Sequence, residues 1–169
     1  YDDISSNPVL GISQPAISLG GEKITFAALG DLWLWQPETD ELSKFTDGTT
    51  VSRSPAWSPT ANEIAYVSDT SNSDGTSTPR LWLYDIQTSE HTLAIKKLSI
   101  QSTPAWSPNG DFIAVYIDLP GNPLGAQLVM WNVNNGEMTN VGKPSRSQPI
   151  SWSLDGEYLA ATELAPYSS

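Results

Sequence analysis

The sequence predicts an all-β protein: a β-propeller of four-stranded antiparallel blades, with about three and a half to four blades in the chain. Three observations carry this. One pattern returns four times, with Ile17, Trp57, Trp106 and Trp152 at the same phase and spacings of 40, 49 and 46 residues. A period near 45 with about four strands per unit is the propeller-blade range. Each repeat also holds short apolar runs rich in β-branched and aromatic residues, and no window shows the i, i+3, i+4, i+7 spacing of a helix. Finally, thirteen prolines and twelve glycines punctuate the chain at matching phases, as turns between strands require.

Taken in order, residues 1–14 read as an irregular N-terminal segment, and residues 15–169 as blades at approximately 15–50, 51–98, 102–145 and a partial 146–169. The first repeat opens on Pro15-Ala16-Ile17-Ser18, turns at Gly20-Gly21, and runs through Ile24-Thr25-Phe26-Ala27 and Leu32-Trp33-Leu34-Trp35. Gly30-Asp31 predicts a tight hairpin between those runs. The second opens on Pro55-Ala56-Trp57-Ser58-Pro59 and holds the runs 64–67 and 81–84, separated by residues 69–80, which read as the longest and most polar loop. The third opens on Pro104-Ala105-Trp106-Ser107-Pro108, and the fourth, at Pro149, supplies one run before the chain stops.

The runs are apolar at successive positions, as in Ile64-Ala65-Tyr66-Val67. A strand with one wet face alternates; a strand sandwiched between neighbouring sheets need not. Blade-on-blade stacking supplies that double burial. The repeated Trp is then expected on the innermost strand, filling the gap between adjacent sheets. Trp33, Trp35, Trp82 and Trp131 fall inside second runs and read as core or inter-blade contacts.

The net charge of −11 and pI near 4.2 argue against nucleic acid, whose affinity rests on neutralising phosphates with Lys and Arg. No apolar stretch approaches the roughly 20 residues of a membrane helix, so no membrane insertion is expected. No signal peptide is recognised, and the chain reads as something excised from a longer protein. With no cysteine, disulfides and thiolate metal sites are ruled out.

Catalytic chemistry finds little support. The one histidine, His91, reads as a surface residue before an outer strand, and no Gly-x-Ser-x-Gly elbow or phosphate loop is present. No catalytic residue and no resident cofactor are expected. The 69–75 stretch, Asp-Thr-Ser-Asn-Ser-Asp-Gly, fails the phasing of an EF-hand. A looser oxygen site for a weakly held calcium ion would use Asp69, Asn72 and Asp74. With Arg80, these form the candidate ligand-contact loop. Asp2-Asp3 read as solvated.

The pattern Pro-Ala-Trp-Ser-Pro-x-Gly-x-x-Ile-Ala-x-x-Ser-Asp…Leu-Trp-x-x-Asp resembles the TolB-type β-propeller repeat. Residues 55–69 with 81–85, and 104–117, match it well. Residues 15–35 carry Ile17 in place of Trp, residues 149–162 carry Leu154 in place of Pro, and Thr60-Ala61 stand where the second repeat should have its turn glycine. The resemblance implies a propeller of six or more blades. It also implies a periplasmic or extracellular setting and a non-catalytic scaffold for protein or peptide partners. Such propellers also accompany tricorn-like and prolyl-oligopeptidase-like peptidases and certain amidohydrolases, and residues 26–33 resemble the first blade of the amidohydrolase-attached kind. The alternative is therefore an accessory, substrate-gating propeller of a hydrolase. Three and a half blades imply a fragment of a larger ring, a ring completed by self-association through open edges, or a small ring closed by residues 1–14.

Overall fold

A computed structural model describes residues 11–122, 125–147 and 149–161. The segment 1–10 and residues 162–169 lie outside it, and with them Asp2-Asp3 and most of the expected irregular N-terminus.

The described residues form three four-stranded antiparallel sheets and one two-stranded sheet, with no helix among them. Blade 1 is β1 (Ser13–Ile17), β2 (Ile24–Ala28), β3 (Asp31–Gln36) and β4 (Glu41–Lys44). Blade 2 is β5 (Ser52–Trp57), β6 (Glu63–Ser71), β7 (Ser77–Asp85) and β8 (Glu90–Ile95). Blade 3 is β9 (Ala105–Trp106), β10 (Phe112–Asp118), β11 (Ala126–Asn132) and β12 (Met138–Ser145), and β13 (Ile150–Trp152) pairs with β14 (Leu159–Ala161) as part of a fourth. In each complete blade the strands lie side by side in chain order. Among the described residues the sheets do not close into a ring. Strand β1 begins at Ser13, two residues before the first signpost.

Successive residues of one strand serve two different interfaces. Ile64 and Tyr66 of β6, with Tyr84 of β7, pack against Ala27, Leu32, Leu34 and Phe45 of blade 1. Their neighbours Ala65, Val67, Leu81 and Leu83 pack against Ile113, Val115, Val129 and Trp131 of blade 3. The next interface repeats the rule: Ala114, Tyr116 and Leu128 take Ile150, Trp152 and Leu159 of blade 4. The period-2 geometry of a strand thus turns a continuous apolar run into two buried faces.

The signpost tryptophans tie each blade to the one before it. Trp57 Nε1 donates to the Ala16 carbonyl at 3.2 Å, Trp106 Nε1 to Ala56 at 3.1 Å, and Trp152 Nε1 to Ala105 at 3.0 Å. The serine after each Trp closes the following turn. Its N–H donates to the carbonyl five residues on in all four repeats. In three repeats its hydroxyl also receives the N–H of that same residue, at Lys23, Phe112 and Tyr158. There the turn's last residue is a left-handed glycine: Gly21, Gly110 and Gly156. Repeat two, with Ala61 at that place, turns differently. Ser58 Oγ receives the Thr60 and Ala61 N–H groups instead, and Ala61 has no positive φ.

Residues 69–80 are not the loop the sequence suggests. They continue β6 and β7 as a paired ribbon, with Asp69 opposite Pro79 and Ser71 opposite Ser77. Only residues 72–76 turn, closed by the Asn72 N–H to the Thr76 carbonyl at 2.8 Å and by Gly75 at φ +84°. Polar Thr and Ser satisfy a ladder as well as apolar residues do, and the β-branched Thr favours it. The absence of apolar residues therefore hid the strands.

Two sets of substitutions test this mechanics. Trp106→Phe should cost about 1–3 kcal/mol, because the Ala56 carbonyl loses its inter-blade donor, as read by chemical denaturation. Gly156→Ala should cost about 1–2 kcal/mol from its left-handed backbone alone. Gly110→Ala should cost more, since its new Cβ would stand 2.2 Å from Thr60 Oγ1, and adding Thr60→Ala should return it to the Gly156→Ala level.

Candidate functional site: a cleft between the first two blades

Where the β6–β7 ribbon rises beyond β5, blades 1 and 2 part to leave a cleft of 480 Å³. Its blade 1 wall is the segment that leaves β4, from Lys44 to Thr50; its blade 2 wall carries Ser52, Ser68, Asp69, Thr70 and Ser71, and Tyr66, Trp82 and His91 complete it. Hydroxyls line much of it. Thr50 Oγ1 and Ser52 Oγ each lie 2.9 Å from Ser68 Oγ.

Below the cleft the aromatic rings are stacked. Tyr84 lies between Phe45, at 4.7 Å between centroids and 15°, and His91, at 4.6 Å and 29°. Tyr66 meets Phe45 and His91 edge-on, and its hydroxyl is 2.8 Å from His91 Nδ1. Burial pushes the Tyr66 phenol well above its ordinary 10.0, reinforced by the charge of Asp47 and by Tyr84. Partial burial holds His91 below its ordinary 6.5, against a hydrogen bond to the Phe45 backbone and the pull of Asp47. At neutral pH the phenol therefore donates and an uncharged imidazole accepts at Nδ1.

The charges around the cleft are mostly spent on each other. Lys44 Nζ sits 3.1 Å from Asp31 Oδ2, and Thr46 Oγ1 donates to Asp31 Oδ1 at 2.7 Å. Arg53 Nη1 sits 2.9 Å from Asp69 Oδ1. Asp47 forms no salt bridge among the described residues, and the charge of Lys44 acts on it only as the smallest influence. Its Oδ1 takes the Thr49 N–H at 2.9 Å and hydroxyl at 2.7 Å, and those bonds keep its carboxyl below the ordinary 3.8. Two polar atoms on the wall, Trp82 Nε1 and Thr70 Oγ1, are buried with no hydrogen-bond partner among the described residues. Such orphaned groups each cost about 1–3 kcal/mol.

Of the four candidate ligand-contact residues, Asp69 lies on this cleft and Asn72, Asp74 and Arg80 do not. Asn72 holds the ribbon's turn, with Nδ2 donating to Thr76 and Thr78 hydroxyls at 2.9 Å each. Asp74 Oδ1 takes the Thr76 N–H at 3.0 Å and hydroxyl at 2.6 Å. Arg80 donates to the Lys96 carbonyl. Among the described residues no three His, Asp or Glu gather as a metal-binding group. His91, Tyr66, Thr70 and Asp47 escape sequence reasoning because they come from two repeats and meet only when the blades stack. The one available signal was a lone histidine just after a tyrosine-bearing strand end, which pairing sets opposite Tyr84.

The histidine sets a pH dependence. The folded protein disfavours the proton on His91 and the unfolded chain does not, so the unfolded state binds it first as pH falls through 6.5. Thermal stability should therefore drop as pH is lowered through that value and level off below the folded-state pKa. His91→Gln, which keeps an acceptor for Tyr66, should remove this step in melting temperature against pH.

No protein-family model matches the sequence, and no curated protein matches it. Solved structures do. TolB from Acinetobacter baumannii superposes with a TM-score of 0.75 at 16% identity, over 94% of this chain and 39% of that one. A TolB-type protein from Agrobacterium tumefaciens gives 0.69 at 18%, over 94% of this chain and 61% of that one. An oligogalacturonate lyase from Vibrio parahaemolyticus gives 0.57 at 16%, over 75% of this chain and 38% of that one. The chain thus spans about two fifths and three fifths of the two TolB-type structures. Its fold is a TolB-like β-propeller.

Proposed function

We propose that the chain is a portion of a larger propeller that acts as a non-catalytic binding scaffold for a protein or peptide. The observation that carries this is the inter-blade cleft, which has unfilled hydrogen-bonding capacity at Trp82 and Thr70 but a histidine already engaged by Tyr66. Strand-edge hydroxyls and aromatic rings of this kind suit an extended peptide. The likeness to TolB-type structures supports a periplasmic or extracellular setting.

A second reading concerns self-association. The outer face of blade 1 carries Ile17, Ile24, Phe26, Trp33, Trp35 and Leu42 in register. In blades 2 and 3 the corresponding face is covered by the preceding blade; here Ile17 is 63% and Leu42 54% exposed. That face fits another blade, from the rest of a ring or from a second copy. The role of accessory propeller to a hydrolase draws its support from the likeness to dipeptidyl peptidase 4 from Porphyromonas gingivalis, at a TM-score of 0.58 and 13% identity.

Selection of a displayed random peptide library on the immobilised protein tests the scaffold reading. Related peptides should be enriched, and their affinity should fall about tenfold or more on Thr70→Arg, which fills the cleft. Absence of any enriched peptide, or turnover of a peptide substrate by the purified chain, would overturn it.

A further inference from the structure

We propose that this cleft recognises a basic residue of an extended peptide, with the cationic head of a lysine or arginine at Asp47 and a flanking peptide carbonyl accepting from Trp82 Nε1. The inference rests on the binding-scaffold reading and adds the chemistry of the ligand.

The first argument is charge balance. The charged side chains on the cleft wall are Lys44, Asp47 and Asp69. Lys44 is paired with Asp31 and Asp69 with Arg53, so both are neutralised within the fold. His91 is uncharged. What remains is the single negative charge of Asp47, whose Oδ1 is held by Thr49 while Oδ2 stays open. A phosphate or carboxylate entering here meets net repulsion; a cation meets an unpaired partner. The chain's net charge of −11 acts in the same sense at longer range.

The second argument is the orphaned donor. An indole N–H can only donate, so the group that satisfies Trp82 must bring an acceptor. A bare amine or metal cation brings none. A peptide brings carbonyls beside its cationic side chain. Its own N–H groups then find oxygen at Thr70, whose hydroxyl is likewise unpartnered. The third argument is the aromatic floor. The methylene stem of Lys or Arg is apolar and packs along rings such as Tyr66 while its head stays near water, and the π faces attract the cation. The 480 Å³ volume falls within the size range of small-ligand sites.

The seven tryptophans give separate indole N–H signals, so ¹⁵N–¹H NMR of the whole chain reads the site directly, with Trp82→Phe identifying its signal. The probes are acetyl-Ala-Lys-Ala-amide, acetyl-Ala-Arg-Ala-amide, acetyl-Ala-Glu-Ala-amide and butylamine, each titrated to millimolar concentration. The Lys and Arg peptides should shift the Trp82 indole saturably. The Glu peptide should leave it in place, and Asp47→Asn, which keeps an acceptor for Thr49, should weaken the basic peptides about tenfold. An equal shift from the Glu peptide, or an unchanged affinity in Asp47→Asn, overturns the cationic preference. An equal shift from butylamine overturns the peptide carbonyl. If no probe moves Trp82 while library-selected peptides still bind, this inference falls and the scaffold reading stands. If neither probes nor selected peptides bind, both fall.

Discussion

The architecture depends on one hydrogen bond made three times, from the indole N–H of a signpost tryptophan to the alanine carbonyl of the preceding signpost. Each joins two innermost strands, where β-strands of different sheets have no ladder to share. The indole bridges that gap because it is long enough to cross between sheets and carries its donor at the far edge. The apolar part of the ring fills the space beside it, so burial and hydrogen bonding fix the same geometry. Everything further out, from the alternating apolar faces to the outer strands, takes its spacing from this seam.

The inner strands add a second device next to it. Gln14 and Ser54, each just before a signpost proline, adopt left-handed φ of 53° and 56°, and both lie at irregularities in the β1–β2 and β5–β6 registers. The Gln14 amide spans the two blades, accepting the Ser54 N–H at 2.8 Å and donating to its hydroxyl at 3.2 Å. A strained conformation at a non-glycine residue costs on the order of 1–3 kcal/mol. Here it aims one side chain across the seam.

The repeat, the blade class and the packing role of Trp57, Trp106 and Trp152 were all readable from residue order, because each is a local pattern repeated at one phase. The double-sided burial of Ile64-Ala65-Tyr66-Val67 was readable for the same reason. The cleft was not. Its walls belong to two repeats, and its unusual atoms, Trp82 Nε1 and Thr70 Oγ1, stand out only because no other described residue reaches them. The ribbon at residues 69–80 was hidden by chemistry instead: a strand of Ser, Thr and Asp offers no apolar signature, although its backbone pairs like any other. His91 is exposed, as its sequence position suggests, but its contacts were not readable: Tyr66 of its own blade meets its Nδ1, and Phe45 reaches it from across the blade boundary.

The tryptophan seam also has a direction. In every case the donor belongs to the later blade and the acceptor to the earlier one, separated by 41, 50 and 47 residues along the chain. In a polypeptide made from its N-terminus, each carbonyl is therefore already in place when its indole emerges. No seam bond waits on a segment more than one repeat away, so loop-closure entropy stays small at each addition. Growth by accretion onto a finished neighbour is thus written into the array.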